Sequence, residues 1–270
     1  MARAVVQLGD WLELARGLAP GSVDFLYADP PFNTGAAKRT PPNARKRGGS
    51  GGKGARGLAS RASGLPEAGP GMDACYGDSW ASMAAYIAWL RERLEATLPA
   101  MKGSGVVAIH CDYRACHHVR LMLDELVGPG NFVNHLIWSY GLGGSSPRRF
   151  ARKHDDILVY AMDARRYYFE APMVPATSQR LRGKMKKATD VLEIASLNNM
   201  ARERTGYPTQ KPEALLEVLV RAFCPEGGMV LDPCCGSGTT LAAAVGRRSL
   251  GWDINADAVR VARERVGRGG

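Results

Sequence analysis

Two short stretches of this 270-residue chain carry residue types that can do chemistry together. The first is Asp29-Pro30-Pro31-Phe32, at the end of the apolar run Val23-Asp24-Phe25-Leu26-Tyr27-Ala28. Pro31 holds Pro30 extended and neither proline has an amide hydrogen to give, so the carbonyls here stay free to accept. An acid, a free carbonyl and an aromatic ring suit a planar base with an exocyclic amino group, which has two protons to donate and a face to stack. Taken alone, the tetrapeptide reads better as a Pro-rich turn after a strand. The second stretch is Asp232-Pro233-Cys234-Cys235-Gly236-Ser237-Gly238-Thr239-Thr240, after the short run Met229-Val230-Leu231, and a further acid, Asp253, follows Ser249-Leu250-Gly251-Trp252. A strand, a Gly-x-Gly turn, a helix and an acid closing the next strand form an arrangement that binds a nucleoside.

Gly236 and Gly238 let the backbone approach a ligand, and Asp253 can accept from ribose hydroxyls. Leu241 stands where a dinucleotide site prefers a third glycine, and the turn lacks the lysine of a P-loop. What remains is a nucleoside without phosphates. S-adenosylmethionine meets that description, its carboxylate placed at the helix N-terminus near Ser237 to Thr240. Cys234 or Cys235 could be the nucleophile of a ring-carbon methyltransferase, but both belong to the cofactor turn. Cys111, Cys116, His117 and His118 invite zinc, yet no second paired cluster stands at suitable spacing, so we expect core cysteines, surface histidines and no metal. Lys211 is read as a contact to the cofactor carboxylate or a solvated lysine, and Asp78 as a helix cap.

Positioning these residues requires strands that alternate with helices. Ala4 to Leu8 predicts a strand, Trp11 to Leu18 a helix, and Val23 to Ala28 the strand that delivers Asp29. Helices are expected over Met83–Leu98 and His117–Val127, with strands over Gly105–Ile109, Asn131–Tyr140 and Asp156–Met162. Pro212 starts a helix at its favoured first position that runs to Phe223. The cofactor turn opens a helix through Val245, and Asn255 caps the last one. This alternation predicts an α/β fold with a doubly wound parallel sheet.

Composition narrows the partners. A net charge of +10 and an isoelectric point near 9.5 favour a polyanion. Three regions concentrate it. Residues 36–74 are rich in Gly, Pro, Ser, Arg and Lys with two acids, Glu67 and Asp73, too polar to order alone, and read either as a solvated linker or as a loop that orders on DNA. Arg148, Arg149, Arg152 and Lys153 flank a Gly-rich stretch. Arg180, Arg182, Lys184, Lys186 and Lys187 lie within an irregular region, 163–205, that mixes basic and aromatic residues as a target-recognition region would. The alternative for each is a solvated basic face. No run approaches the roughly 20 apolar residues of a membrane span, and six cysteines without a secretion signal fit free thiols in the cytoplasm.

Together the motifs resemble the DNA amino-methyltransferases of permuted motif order, the beta class. The resemblance rests on Asp29 to Phe32, Thr209-Gln210-Lys211-Pro212, Asp232 to Thr240 and Asp253, and spans nearly the whole chain apart from the segment after Gly35. It implies one catalytic domain over 1–270, with a mostly parallel Rossmann-like sheet in circularly permuted order. It also implies S-adenosylmethionine as cofactor, double-stranded DNA as substrate, and adenine N6 or cytosine N4 as target, with Asp at the first motif position leaning toward adenine. Asp10 is implied to begin a strand beside that of Asp253 and to lie near the cofactor adenosine, which brings the chain ends together. A cognate restriction endonuclease and a homodimer are the partners compatible with it. In the family an aromatic often precedes the glycine turn, where Cys234-Cys235 stand here. A DNA-binding protein that has lost catalysis and an RNA methyltransferase are the competing readings.

Overall fold

The computed structural model describes residues 4–32, 80–141, 145, 147–176, 178–197, 201–207 and 209–267. The basic stretch 36–74 and Asp78 lie outside them.

Val23–Ala28 is buried at all six positions, the signature of a strand covered on both faces. Its side chains alternate: Val23, Leu26 and Ala28 join one core layer while Phe25 and Tyr27 join the other. This strand, β2, sits centrally in an eight-stranded sheet. The others are β1 (Ala4–Leu8), β3 (Met101–Cys111), β4 (Phe132–Ser139), β5 (His154–Ala161), β8 (Val191–Glu193), β9 (Met229–Asp232) and β10 (Arg248–Asp253). The order is β1-β10-β9-β2-β3-β5-β4-β8. The strands β6 (Met173–Pro175) and β7 (Met185–Lys187) form a separate antiparallel ribbon.

Helices α1 (Trp11–Ala15), α2 (Met83–Thr97) and α3 (Cys116–Leu126) cover one face, burying Trp11, Leu90, Leu94, Val119 and Leu123 in the first core layer. On the other face α4 (Glu213–Phe223) and α5 (Thr239–Ala243) bury Leu215, Leu219, Phe223 and Ala243 in the second. Helix α6 (Ala256–Gly267) closes the β1 edge, where Val259 and Ala262 meet Val6, Cys235 and Leu241. The sheet is therefore doubly wound, as alternation predicted.

The sheet is mostly parallel, as the resemblance implies, with β5 running antiparallel to both β3 and β4. Alternation of hydrophobic residues is the same in either direction, so periodicity cannot report it. Asp10 does not begin a strand. It follows β1, which pairs in parallel with β10, and its Oδ1 accepts from the Leu12 amide at 2.8 Å to cap α1. The two ends of the chain do meet, since Arg263 of α6 donates to the Val6 carbonyl at 2.9 Å. Finally, α1 stops at Ala15 and α5 at Ala243, each giving way to a glycine-containing turn.

The topology fixes where a ligand can sit. From β2 the chain crosses through α2 to β3, while from β9 it crosses through α5 to β10 in the opposite direction. Adjacent β9 and β2 are thus the switch point, and open α/β sheets bind ligands outside the carboxyl ends of such strands. Asp232 ends β9, and Asp29 immediately follows β2.

Candidate active site

A cavity of ≈ 260 Å³ opens at that switch point. Its wall contains Asp29, Pro30, Pro31 and Phe32 from the end of β2 together with Asp232, Cys234, Gly236, Ser237 and Thr239 from the β9–α5 turn. Asp10, Lys211 and Asp253 also line it. Residues about 200 positions apart in the chain therefore share one wall, as the two motifs require.

The turn is shaped by its glycines. Gly236 has φ +51°, and a Cβ there would meet the Tyr207 ring at 3.3 Å. Gly238 has φ +77°, and a Cβ would stand 3.0 Å from that of Ala262. Both positions combine a left-handed backbone with close approach, which glycine alone tolerates without strain. The Asp253 carboxylate supports the turn through the Gly236 amide at 2.9 Å and the Asn255 amide at 2.8 Å. The Cys234 amide donates to Asp232 Oδ1 at 3.1 Å.

Burial dominates the electrostatics. Asp232 is driven up to about 7 by desolvation, against the opposing hydrogen bonds of Thr240 and the Cys234 amide, with Asp29 and Asp253 adding further carboxylate charge. Asp253 is raised for the same first reason. Burial also raises the Cys234 and Cys235 thiols well above the ordinary range, and neighbouring Asp232 and Asp253 add to the effect. Thiols held protonated are poor nucleophiles, in keeping with their assignment to the cofactor turn.

At the catalytic motif, Lys211 Nζ makes a short ion pair with Asp29 Oδ2 and lies 5.3 Å from the centre of the Phe32 ring. Lys211 thus faces Asp29, which neither reading of its sequence position foresaw. Its own carbonyl accepts from Thr239 Oγ1 at 3.4 Å, tying the stretch before α4 to the start of α5. Arg114 donates to the Phe32 carbonyl at 3.3 Å and is itself held by Asp112. Below the motif, Tyr27 Oη and His110 Nδ1 lie 2.8 Å apart, His110 Nε2 is 3.3 Å from Asp155, and the Phe32 and His110 rings are 5.7 Å apart.

Several lining residues escaped the reading of the sequence. Trp80, Trp89, Arg93 and Tyr207 form part of the wall, and Ile254 stands at it 61% exposed. The Arg93 guanidinium lies 4.3 Å from the Trp89 ring centre and donates to Asp10 Oδ2 at 2.9 Å, while its buried Nε has no hydrogen-bond partner among the described residues. Asp10 is therefore at once a helix cap and a cavity acid. Trp89 and Arg93 have the i, i+4 spacing of an ordinary packed helix face, which hid them. The displaced aromatic was the available signal: where Cys234-Cys235 replace the family's ring, Tyr207 covers the turn from another segment.

This donor set fits S-adenosylmethionine. Four carboxylates, Asp10, Asp29, Asp232 and Asp253, oppose a ligand bearing a sulfonium and an ammonium, the glycine turn admits a main-chain approach, and aromatic rings flank the space. None of the candidate DNA-binding arginines and lysines lines the cavity. Arg148, Arg149, Arg152 and Lys153 lie on the β4–β5 connection, at the same sheet edge as Asp29, with Arg152 stacked on Tyr113 at 3.6 Å. Arg180, Arg182, Lys184, Lys186 and Lys187 lie on or between the strands of the β6–β7 ribbon. His117 and His118 are exposed on α3, as expected, while Cys111 and Cys116 are buried.

Comparison with known proteins agrees with this geometry. Type II methyltransferase M.ScaI of Streptomyces caespitosus is 30% identical over 69% of this chain and 68% of its own length. DNA adenine methyltransferase YhdJ of Escherichia coli K12 is 25% identical over 96% of this chain and 81% of its own. Among solved structures, the cytosine-N4-specific PvuII DNA methyltransferase superposes with a TM-score of 0.67 at 14% identity, covering 98% of this chain and 86% of that one. The M1.HpyAVI–SAM complex superposes at 0.62 and 18% identity, covering 98% and 99%. The model of a family described as DNA methylase, that of the N6 and N4 enzymes, matches residues 23–264, and the chain belongs to that amino-methyltransferase family.

Proposed function

We propose that this protein transfers a methyl group from S-adenosylmethionine to N6 of adenine in duplex DNA, acting on a base turned out of the helix. The observation that carries this reading is the shared wall of Asp29 to Phe32 and the Asp232 to Thr240 turn. A base within a stacked duplex cannot reach such a recess, so the substrate nucleotide must be extruded.

When bound, S-adenosylmethionine supplies an electrophilic methyl on a positively charged sulfur. The chain's own residues must make the amino nitrogen nucleophilic, since its lone pair is delocalised into the ring. Asp29 accepts one amino proton and the Pro30 carbonyl the other, which draws the lone pair out of conjugation and aims it for direct in-line transfer. One oxygen of Asp29 is already held by Lys211, so the other is left for the base. Lys211 thereby fixes the carboxylate's orientation. Phe32, anchored through its carbonyl by Arg114, offers its ring to the base face. The proton released on transfer passes to Asp29, and no covalent enzyme intermediate forms.

Asp at the first motif position supports adenine, as does the DNA adenine methyltransferase among the relatives. Arg148, Arg149, Arg152 and Lys153 are assigned to the DNA backbone because they share the edge at which the base enters. The ribbon cluster from Arg180 to Lys187, within 163–205, is assigned to target recognition. A restriction endonuclease of the same specificity is the natural partner of a relative of a type II methyltransferase.

The test is direct. Purified protein is incubated with duplex DNA and S-adenosylmethionine, the DNA is digested to nucleosides, and mass spectrometry identifies the product. N6-methyladenine is expected. N4-methylcytosine alone overturns the choice of base, and no methylated base from several DNA sources overturns the activity.

A further inference from the structure

Outside the cavity, three metal-ligating side chains, Cys116, His135 and Asp156, converge, and a fourth, Cys111, stands on the neighbouring strand. Cys111 of β3 is directly opposite Asp156 of β5 in the antiparallel register, and such partners share a face. His135 of β4 is two residues from Ile137, which pairs with Asp156, so strand alternation places it on that face as well. Cys116 opens α3, five residues after Cys111. Cys116 Sγ lies 3.7 Å from His135 Nε2, and Asp156 Oδ1 lies 2.6 Å from the same nitrogen. Ligand atoms of Cys116, His135 and Asp156 all fall within 4.8 Å of one another.

A catalytic triad does not account for this grouping. It needs the thiol on one imidazole nitrogen and the acid on the other, whereas here both address Nε2. Nor is it a surface cluster of acids: Asp156 and Cys116 are each 4% exposed and Cys111 is fully buried. A carboxylate so far from water calls for a cation or several donors. Two sulfurs, an imidazole and a carboxylate are the donors of a four-coordinate zinc site. Two ligands on one tetrahedral zinc, with bonds of roughly 2.3 Å to sulfur and 2.0 Å to nitrogen, stand about 3.5 Å apart. The observed sulfur–nitrogen distance is close to that, and the nitrogen–oxygen pair has only to open slightly, which the 41% exposed His135 side chain allows.

We propose that Cys111, Cys116, His135 and Asp156 bind one zinc ion. Both thiols release their protons to solvent on binding. The ion clamps the start of α3 to β3, β4 and β5 and closes the Cys111–Cys116 loop. That loop carries Arg114, which holds the Phe32 carbonyl. Cys111 and Cys116 are conspicuous in the sequence, but their partners stand on later strands, and the adjacent His117 and His118 face away.

Full-length protein stripped with a chelator is titrated with cobalt(II), then with zinc, while circular dichroism monitors folding. One equivalent of cobalt should produce thiolate charge-transfer absorption that zinc abolishes. In Cys111→Ser that absorption should fall by about half, because one of two thiolates is gone. His135→Gln, at an exposed position, should weaken cobalt binding beyond the roughly 10–100-fold typical of losing an outer-shell partner. His117→Ala should change neither. Folded wild-type protein without charge-transfer absorption overturns the proposal, as does an unchanged spectrum in Cys116→Ser.

Discussion

Asp29 has two neighbours of opposite consequence: Lys211, which holds one carboxylate oxygen, and Asp232, whose charge it opposes across the cavity. Asp29→Asn keeps the shape but loses the charge that accepts the amino proton. We expect kcat to fall by about 10²–10⁴-fold; a variant turning over like wild type would refute the mechanism. Asp232 gives a second prediction, in stability. Its folded carboxyl titrates near 7, against about 3.9 in an unfolded chain. The folded state therefore holds the proton more tightly, and this stabilisation is complete below pH 4 and is lost as pH rises toward 7. Asp232→Asn removes that dependence while keeping an oxygen for the Cys234 amide. Its melting temperature should vary less than wild type's between pH 4 and 7. Near neutral pH it should be the more stable protein, by a few kcal/mol at most.

At the scale of elements, the β9–α5 turn separates conformational strain from crowding. Gly238 and Gly246 share φ +77°, yet only Gly238 faces a neighbour, the Cβ and Cα of Ala262 on α6. Gly246→Ala should cost about 1 kcal/mol, from backbone strain alone. Gly238→Ala must also displace α6, so a loss of roughly 2–4 kcal/mol is expected by chemical denaturation. Equal losses would show that the contact with α6 is unimportant. This turn was legible because glycine and proline constrain the backbone wherever they occur, and the same holds for Asp29 to Phe32. Helices α2, α3 and α4 were legible within a residue or two, since their apolar spacing follows directly from burying one face. The direction of β5 was not, because period-two alternation is blind to polarity. Trp80, Trp89 and Tyr207 were missed for a related reason: a ring that lines a cavity and a ring that fills a core obey the same spacing.

For the whole molecule the open quantity is how its charge of +10 is used. Net charge alone steers any polyanion, and only side chains that neutralise phosphates release counterions on binding. The two classes differ in the salt dependence of affinity: log K falls with log salt at a slope of about −0.9 per phosphate contacted. Arg149 and Arg152 occupy the edge beside the cavity, while Arg180, Arg182 and Lys184 belong to the β6–β7 ribbon region, and all five are exposed. If both groups hold the DNA backbone, Arg149→Ala with Arg152→Ala should make the slope shallower by roughly 2, and the ribbon triple variant by roughly 3. Fluorescence anisotropy with a labelled duplex over a range of salt reads the slopes. A ribbon that reads bases must add a second effect, weakening discrimination between sequences as well as the slope. A ribbon variant with an unaltered slope and unaltered sequence preference would make that cluster a solvated face, leaving the edge cluster to hold the DNA while the base enters.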